Sequence, residues 1–310
     1  MKIYLAPMEG ITGYTYRNVY RHFYEDADRY FTPFISPHKK FGTKVLNEIS
    51  RDNNQGMDLI PQLMVGNYEE AIGLCDLLSN YGYREVNINT GCPSGTVVNK
   101  KRGSGLLRDY LALDSLFEEL FAYIHTPISL KTRIGWSDEA EWPKLAEVIG
   151  RYPFSEVIIH GRTREEFYSG KSHQDCLNIA KEYISSPIIY NGDIYSIEDA
   201  EILCDKYPYI DGIMVGRGVL ANPALIEQLK ASFAGKDIPV NDNERAFSFV
   251  SELYDRYLEL FGSEINTLYH MKEIWGFMGP TYPDKEKELK TIRKTKSTIE
   301  YKQAVRNILK

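Results

Sequence analysis

Eight short apolar runs recur along the first three quarters of the chain, at intervals of about 25–45 residues. β-Branched residues are frequent in them, and several runs end in glycine or a polar residue. This pattern is typical of parallel strands that are buried on both faces. The runs begin at Lys2, Arg29, Leu59, Glu85, Ile128, Glu156, Pro187 and Gly212.

The segments between these runs carry helix signals. Asn67 stands three residues before Glu70 at the start of a helical pattern, and Gly82 follows its end as a stop signal. Eight strands that alternate with helices predict an α/β fold of the TIM (β/α)8 barrel type. A doubly wound open sheet is the alternative, and the count of eight favours the closed barrel.

The alternation ends near residue 237, where KDIPVNDNE resembles a linker. Beyond Glu244, apolar and aromatic residues recur at helical spacing in three segments, around 244–261, 269–278 and 299–309. We therefore expect a barrel domain over residues 1–237 and a small C-terminal all-helical domain over residues 243–310.

Charge divides unevenly along the chain, whose net charge is −6. Residues 285–310 hold nine Lys and Arg against three Asp and Glu, whereas residues 1–284 hold 28 basic and 40 acidic residues. An acidic body with a basic tail suggests a polyanionic partner such as nucleic acid. A lysine-rich, solvated helix face is the alternative.

The four cysteines, Cys75, Cys92, Cys176 and Cys204, are scattered and contain no CxxC pair. This spacing argues against a zinc site and against a disulfide framework, and we expect no bound metal. A reducing cytoplasm fits best. The start, MKIYLAPMEG, has one lysine and only a short apolar run, so we expect neither a signal peptide nor a membrane anchor.

Polar residues cluster at the predicted carboxyl ends of the strands, which is where barrel enzymes carry out their chemistry. Such a set is unusual for a core and suits a site that holds a polar, planar cofactor. The residues are Pro7, Met8, Glu9, Gln62, Asn87, Asn89, Cys92, Lys131, Arg133, His160, Arg162, Asn191, Asp193, Gly216 and Arg217.

Several of these residues have both a functional and a structural interpretation. NGD and GRG in the last two runs suit a phosphate, although NG alone is usually a turn. Lys131 stabilises an electron-accepting ring, or it faces outward or pairs with a carboxylate. His160 is a ligand or a satisfied core histidine. Gln62 contacts a bound ring or the backbone.

Together, these residues resemble the tRNA-dihydrouridine synthase family over about residues 3–225. The motifs occur in family order as APMEGIT, QLMV, NINTGCPS, GSGLLRD, LKTRIGW, IIHGRTREEFYSG, YNGDI and VGRGVLANP. The helical tail, with YHMKEIWGFM, also resembles the family's RNA-binding domain, although less specifically. Departures from the family pattern are Gly13, Ser104 and His173, none of which belongs to the expected flavin set.

The resemblance implies an oxidoreductase that reduces a uridine in folded RNA, most of all tRNA, to 5,6-dihydrouridine. It implies FMN as the cofactor and NADPH as the reductant. The ring would lie against Pro7, Met8, Glu9, Gln62, Lys131 and His160, with the phosphate on Asn191, Gly192, Asp193, Gly216 and Arg217. Residues expected to contact the RNA are Asn89, Arg162, Lys100, Lys101 and Arg102.

Cys92 is the candidate catalytic acid. Reducing the C5–C6 bond of uracil requires a hydride at C6 and a proton at C5, and a thiol with a pKa of about 8.5 is mostly protonated at neutral pH. A buried structural thiol is the usual alternative, and we expect it for the other three cysteines. Rival functions are a dihydroorotate dehydrogenase-like reductase of a free pyrimidine or small enone, an RNA-binding protein without catalysis, and the same chemistry on ribosomal RNA.

Overall fold

The eight predicted runs form nine short parallel strands in the computed structural model, which describes residues 1–38 and 40–310. The third run is divided because Pro61 has no N–H to donate to a neighbouring strand, although its carbonyl still accepts from the Asn87 N–H at 2.9 Å. The strands are β1 Lys2–Leu5, β2 Tyr30–Phe31, β3 Leu59–Ile60, β4 Gln62–Leu63, β5 Val86–Thr90, β6 Ile128–Gly135, β7 Val157–Thr163, β8 Ile188–Asn191 and β9 Gly212–Val215.

The strands close into a barrel. Seven of them form one parallel sheet in the order β1-β9-β8-β7-β6-β5-β4, and β2 pairs with β3. A parallel bridge between Tyr4 and Arg29 links β1 to the β2 segment, and a second bridge joins Ile35 to Leu63. With β3 and β4 in one run, the ring of pairings is complete, and the predicted barrel is confirmed.

Helices follow the strands as the pattern predicts. Asn67 caps α3 by accepting from the Glu70 N–H at 2.9 Å, and Gly82 has a φ of +80° after the helix end. The Glu70 carboxylate accepts from the Gly66 N–H at 2.8 Å. The first eight helices are α1 Tyr14–Phe23, α2 Thr43–Ile49, α3 Tyr68–Asn80, α4 Gly95–Val98, α5 Tyr110–Tyr123, α6 Trp142–Gly150, α7 Cys176–Tyr183 and α8 Ile197–Lys206.

An apolar cluster forms part of the barrel core, and charged side chains pair with one another at the amino end of the barrel. Arg29 lies 3.2 Å from the Glu156 carboxylate and 3.1 Å from that of Glu85, and the Tyr4 hydroxyl donates to Glu156 at 2.8 Å. Because a buried carboxylate is costly without partners, this network stabilises the end of the barrel opposite the predicted site. The core residues are Tyr4, Ala6, Phe31, Ile60, Ile158, Ile189 and Met214.

The described residues fall into two compact units. The first comprises Met1–Pro7, Asp28–Asp193 and Glu198–Val215, and the second comprises Met8–Ala27, Ile194–Ile197 and Gly216–Lys310. This division differs from a linear one at about residue 240, because α1 packs against the C-terminal helices. The assignment of residues 1–237 to catalysis and of residues 243–310 to RNA binding stays a prediction.

The second unit is helical. Its remaining helices are α9 Arg217–Ala221, α10 Leu225–Phe233, α11 Asn243–Phe261, α12 Glu264–Met278, α13 Glu286–Lys294 and α14 Thr298–Leu309. Phe249 of α11 makes edge contacts with Tyr16 of α1 and with Tyr24, at ring-centroid distances of 5.9 and 5.3 Å. The Trp275 indole N–H donates to the Tyr301 hydroxyl at 3.0 Å. The predicted C-terminal helices are confirmed.

Within residues 1–38 and 40–310, no helix is both long enough and apolar enough to cross a membrane.

Candidate active site

Parallel register brings the predicted site residues of the first unit together at the carboxyl end of the barrel. Asn89 of β5 lies opposite Lys131 of β6. Arg133, two residues further along β6, lies opposite His160 of β7, which in turn lies opposite Asn191 of β8. Residues far apart in sequence thus form one ring of polar side chains around the barrel mouth.

A chain of buried amides crosses this ring. The Gln62 amide N–H donates to the Asn87 carbonyl at 2.8 Å, and the Asn87 amide N–H donates to the Ser129 hydroxyl at 3.0 Å. The Asn89 amide N–H donates to the Gln62 carbonyl at 2.7 Å, and the Asn89 oxygen accepts from the Cys92 N–H at 2.6 Å. The register between the strands therefore determines, through these hydrogen bonds, where the backbone of Cys92 lies.

The segment around Cys92 is also fixed from its other side. The Cys92 carbonyl accepts from the N–H and the hydroxyl of Ser104, at 3.0 and 2.9 Å. Gly103 has a φ of +55°, and a Cβ there would lie 2.8 Å from the Cys92 carbonyl oxygen. Glycine at residue 103 therefore lets the chain approach the Cys92 carbonyl closely enough for Ser104 to bind it. The half-buried thiol is held by backbone contacts on both flanks.

Lys131 places an ammonium group inside the ring. Its Nζ donates to Asn191 Oδ1 at 2.8 Å, and the Asn191 amide N–H donates to the Met214 carbonyl at 2.8 Å. Burial, with a smaller contribution from Arg133, lowers the pKa of Lys131 to about 7, while the Cys92 sulfur opposes that shift. No carboxylate of the described residues forms an ion pair with this ammonium, which leaves it available to an electron-rich ligand.

Arg133 connects two loops of the site. It is 1% exposed, and its guanidinium donates to the carbonyls of Gly91, Thr163 and Phe167 at 2.8, 2.7 and 2.8 Å. Burial lowers its pKa to about 10. Because Gly91 directly precedes Cys92, one buried cation ties the cysteine segment to the loop after β7.

Arg162 is used inside the protein. It is 1% exposed, and it forms an ion pair with Asp193 at 2.6 Å and donates to the carbonyls of Ser169 and Gly170. Its guanidinium also lies 3.4 Å from His160 Nε2. The structure thus places this predicted RNA contact in a buried cluster, whereas its predicted role in binding RNA stays untested.

Gly192 fills a position with no room for a side chain. A Cβ there would lie 2.2 Å from the Tyr190 hydroxyl, which donates to the Ser172 hydroxyl at 2.8 Å. Ser172 also donates its N–H to Asp193 at 3.0 Å. The side chains around Gly192 are therefore engaged with one another.

The other predicted site residues differ in their exposure and in the compact unit to which they belong. Lys100 and Lys101 are exposed, whereas Arg102 forms an ion pair with Glu70. Pro7 belongs to the first unit. Four predicted cofactor residues belong to the second unit, where Met8 donates its N–H to Thr12 Oγ1 at 2.7 Å and Arg217 begins α9. These four are Met8, Glu9, Gly216 and Arg217.

Cys75 and Cys176 are buried as expected, whereas Cys204 is half-buried. Burial raises the pKa of Cys75 to about 12 and that of Cys204 to about 11. Burial raises the pKa of Cys176 as well. The described part of the chain contains no group of three or more His, Cys, Asp or Glu residues arranged for a metal ion.

Sequence reasoning found only part of what holds the site. Asn87 and Arg133 are noted there as polar strand ends and Ser104 as a departure from the family pattern, whereas Ser129, which accepts from Asn87, is missed. A polar residue within a buried strand was the available signal, because such groups need partners. The identity of each partner depends on register, which one sequence does not display.

The comparisons with known proteins identify the family of the chain. The family model described as dihydrouridine synthase matches residues 4–309. This chain belongs to the dihydrouridine synthase family.

Relatives carry the same designation. The chain is 31% identical over 233 residues to "tRNA-dihydrouridine synthase B" of Pasteurella multocida, which covers 74% of this chain and 69% of that protein. It is 30% identical over 264 residues to the "probable tRNA-dihydrouridine synthase" of Rickettsia bellii, covering 84% and 80%. It is 33% identical over 195 residues to that of Rickettsia prowazekii, covering 62% of this chain and 59% of the relative.

Solved structures share the fold. Morphinone reductase aligns with a TM-score of 0.52 at 10% identity, covering 79% of this chain and 88% of that one. The structure titled "TcOYE with pHBA" aligns with a TM-score of 0.53 at 11% identity, covering 77% and 91%. At such low identity these likenesses establish the barrel alone.

Proposed function

We propose that this chain reduces a uridine in folded RNA, most of all tRNA, to 5,6-dihydrouridine, with FMN as the cofactor and NADPH as the reductant. Membership of the dihydrouridine synthase family and the printed names of the relatives support the RNA substrate. The observation that carries the proposal is a half-buried cysteine whose backbone is fixed near a half-buried lysine that forms no ion pair with a described carboxylate, both at the barrel mouth.

The donor set fits a flavin. Lys131 has three N–H donors and one protein acceptor, so it has donors left for a ring carbonyl or nitrogen. Its location also favours negative charge on a reduced ring. Pro7, Gln62 and His160 complete the first unit's share of the proposed ring contacts, and Met8 and Glu9 of the second unit stay predictions. When bound, FMN supplies hydride to C6 of the uracil after reduction by NADPH.

The proposed phosphate contacts are backbone groups of the turn around Gly192, because the side chains beside Gly192 already have partners in the protein. The Asn191 and Asp193 side chains bind Lys131 and Arg162, so the backbone N–H groups around Gly192 are the proposed donors to the FMN phosphate. Gly216 and Arg217 are the proposed contributions of the second unit.

Cys92 Sγ is the proposed proton donor to C5. Asn89 and Ser104 hold its backbone at 2.6 and 3.0 Å, so the thiol is presented from a fixed segment. A positioned acid of this kind accelerates proton transfer by about 10²–10⁴-fold. Asn89 also lies beside the thiol, which supports its proposed contact with the target base.

RNA binding draws on charge and on accessible bases. Lys100 and Lys101 are exposed and close in sequence to Cys92, and the basic segment 285–310 adds sequence-independent affinity that salt weakens. A base can reach the barrel mouth only when it has left its stack, as bases in RNA loops do. The four cysteines form no disulfide within the described residues, which is consistent with the proposed reducing compartment, the cytoplasm.

The direct test supplies the flavin-loaded chain with NADPH and tRNA transcribed without modifications, then measures dihydrouridine by nucleoside mass spectrometry. Parallel reactions contain free uridine, a small enone or ribosomal RNA. Dihydrouridine in the tRNA reaction supports the proposal. Reduction of the free compounds without any product in RNA would replace it with a small-molecule reductase.

A further inference from the structure

Arginine and aromatic side chains form a continuous row in the first unit. The Arg108 guanidinium carbon lies 3.8 Å from the centroid of the Trp136 indole, and that of Arg164 lies 4.7 Å from it. The Arg164 guanidinium also lies 5.1 Å from the ring centroid of Phe167. Arg108, Trp136, Arg164 and Phe167 are called the arginine–aromatic row below.

The two arginines of the row lack anionic partners. Neither forms an ion pair with any carboxylate of the described residues, in contrast to Arg102 and Arg162, which pair with Glu70 and Asp193. The Arg164 Nε atom is buried and has no hydrogen-bond partner. Two guanidinium groups within 5 Å of one indole centroid repel each other. A bound anion offsets that repulsion.

The row is held rigidly by backbone contacts. Arg164 donates its N–H to the Gly135 carbonyl at 2.9 Å, and Glu165 donates to the Trp136 carbonyl at 3.0 Å. Phe167 has a φ of +51°, unusual for a residue with a side chain, and the residue is 42% exposed. Arg133 holds that backbone by donating to the Phe167 carbonyl. An exposed aromatic ring maintained in a strained conformation points to a binding role.

The row is also joined to the Cys92 segment at both ends. Arg108 ends the 3-10 helix Gly103–Arg108, whose Ser104 binds the Cys92 carbonyl. At the other end, the guanidinium that holds Phe167 also binds the carbonyl of Gly91. A ligand on the row is therefore fixed relative to the cysteine.

We propose that the arginine–aromatic row binds the RNA strand next to the target uridine, with backbone phosphates on Arg108 and Arg164 and a neighbouring base stacked on Phe167. Guanidinium groups suit phosphates, and exposed aromatic rings suit unpaired bases of any sequence. This inference rests on the proposed RNA substrate. It adds the binding site for the RNA strand that flanks the reacting base.

The test uses flavin-loaded full-length protein with Arg108→Gln, Arg164→Gln and the double variant. Arg151→Gln is the matched control, because Arg151 is an exposed arginine already paired with Asp114 and Glu147. Fluorescence anisotropy measures affinity for unmodified tRNA at several salt concentrations. Each single variant weakens binding by about tenfold at low salt and reduces the slope of log affinity against log salt by about 0.7.

Kinetics separates binding from folding and from cofactor use. We expect KM for tRNA to rise in the variants, while the rate of flavin reduction by NADPH without RNA stays at the wild-type value. Arg164→Lys restores the salt slope but not the full affinity, since it keeps the charge and loses planar stacking. Phe167→Leu lowers affinity without changing the salt slope, and it tests the row even where Arg164→Gln fails to fold.

Three outcomes overturn the inference. Wild-type affinity and salt slope in Arg108→Gln and in Phe167→Leu show that RNA does not contact the row, while dihydrouridine formation by the wild type leaves the proposed function intact. A raised KM for NADPH at unchanged tRNA affinity assigns the row to the phosphates of the nicotinamide cofactor. Absence of dihydrouridine with every RNA removes the proposed function and this inference together.

Discussion

Replacing Lys131 with methionine is expected to change how the stability of the flavin-free protein depends on pH. Burial lowers the pKa of Lys131 from 10.5 to about 7. Between these values the unfolded chain binds the proton and the folded chain does not, so the lysine's penalty falls as pH rises. The lowered pKa of Lys131 therefore reduces the free energy of unfolding by about 4 kcal/mol at pH 7 and by about 2 kcal/mol at pH 9.

Wild type should therefore gain about 2 kcal/mol of unfolding free energy relative to Lys131→Met between pH 7 and pH 9. At pH 7 the variant should be more stable by about 1–3 kcal/mol, because the unpaired Asn191 oxygen offsets part of the gain. Urea unfolding of flavin-stripped protein at pH 7, 8 and 9 measures both quantities.

The matched control is Lys144→Met, since Lys144 is an exposed lysine that pairs with Glu147. Its difference from wild type should not change over the same pH range. A constant difference between wild type and Lys131→Met would refute the assignment of a buried, partly neutral amine. With FMN added, Lys131→Met should retain flavin less well or reduce it more slowly, because stability and function conflict at this position.

Three further predictions concern other positions. Asn89→Ala should lower dihydrouridine formation at unchanged flavin content, because the Cys92 N–H loses its acceptor; equal turnover would contradict this. Gly192→Ala should lower the melting temperature, because the added Cβ would lie 2.2 Å from the Tyr190 hydroxyl and 2.4 Å from a carbon of its ring; an unchanged melting temperature would argue against the clash. Burial lowers the pKa of His270 to about 4, so stability should fall as pH drops from 6.5 toward 4, and His270→Phe should flatten that dependence in urea titrations.

The barrel was predictable because its signals are local. Each strand is an apolar run that is buried on both faces, and several runs end in glycine or a polar residue. Even the break in the third run follows from one residue, Pro61, which lacks a donor. The sequence alone does not reveal that α1 packs with α11, since that contact depends on tertiary packing.

The candidate site was predictable only in part. Cys92, Lys131 and Asn191 stand at strand ends and lie together at one end of the barrel, as expected. Arg162 was predicted to contact RNA; its guanidinium pairs with Asp193, a partner that the sequence did not indicate, and its role in RNA binding stays a prediction. The partner of a buried charge is set by the register between strands, and a single sequence contains no direct record of register.

The central claim is that Cys92 protonates C5 of a uracil that a reduced flavin has attacked. Its most direct test is a single turnover, in which protein carrying reduced FMN is mixed anaerobically with unmodified tRNA and dihydrouridine is counted per flavin. Wild type and Cys204→Ala should form about one dihydrouridine per flavin, whereas Cys92→Ala should retain its flavin and react about 10²–10⁴-fold more slowly. Equal rates and yields in Cys92→Ala and wild type would contradict the account.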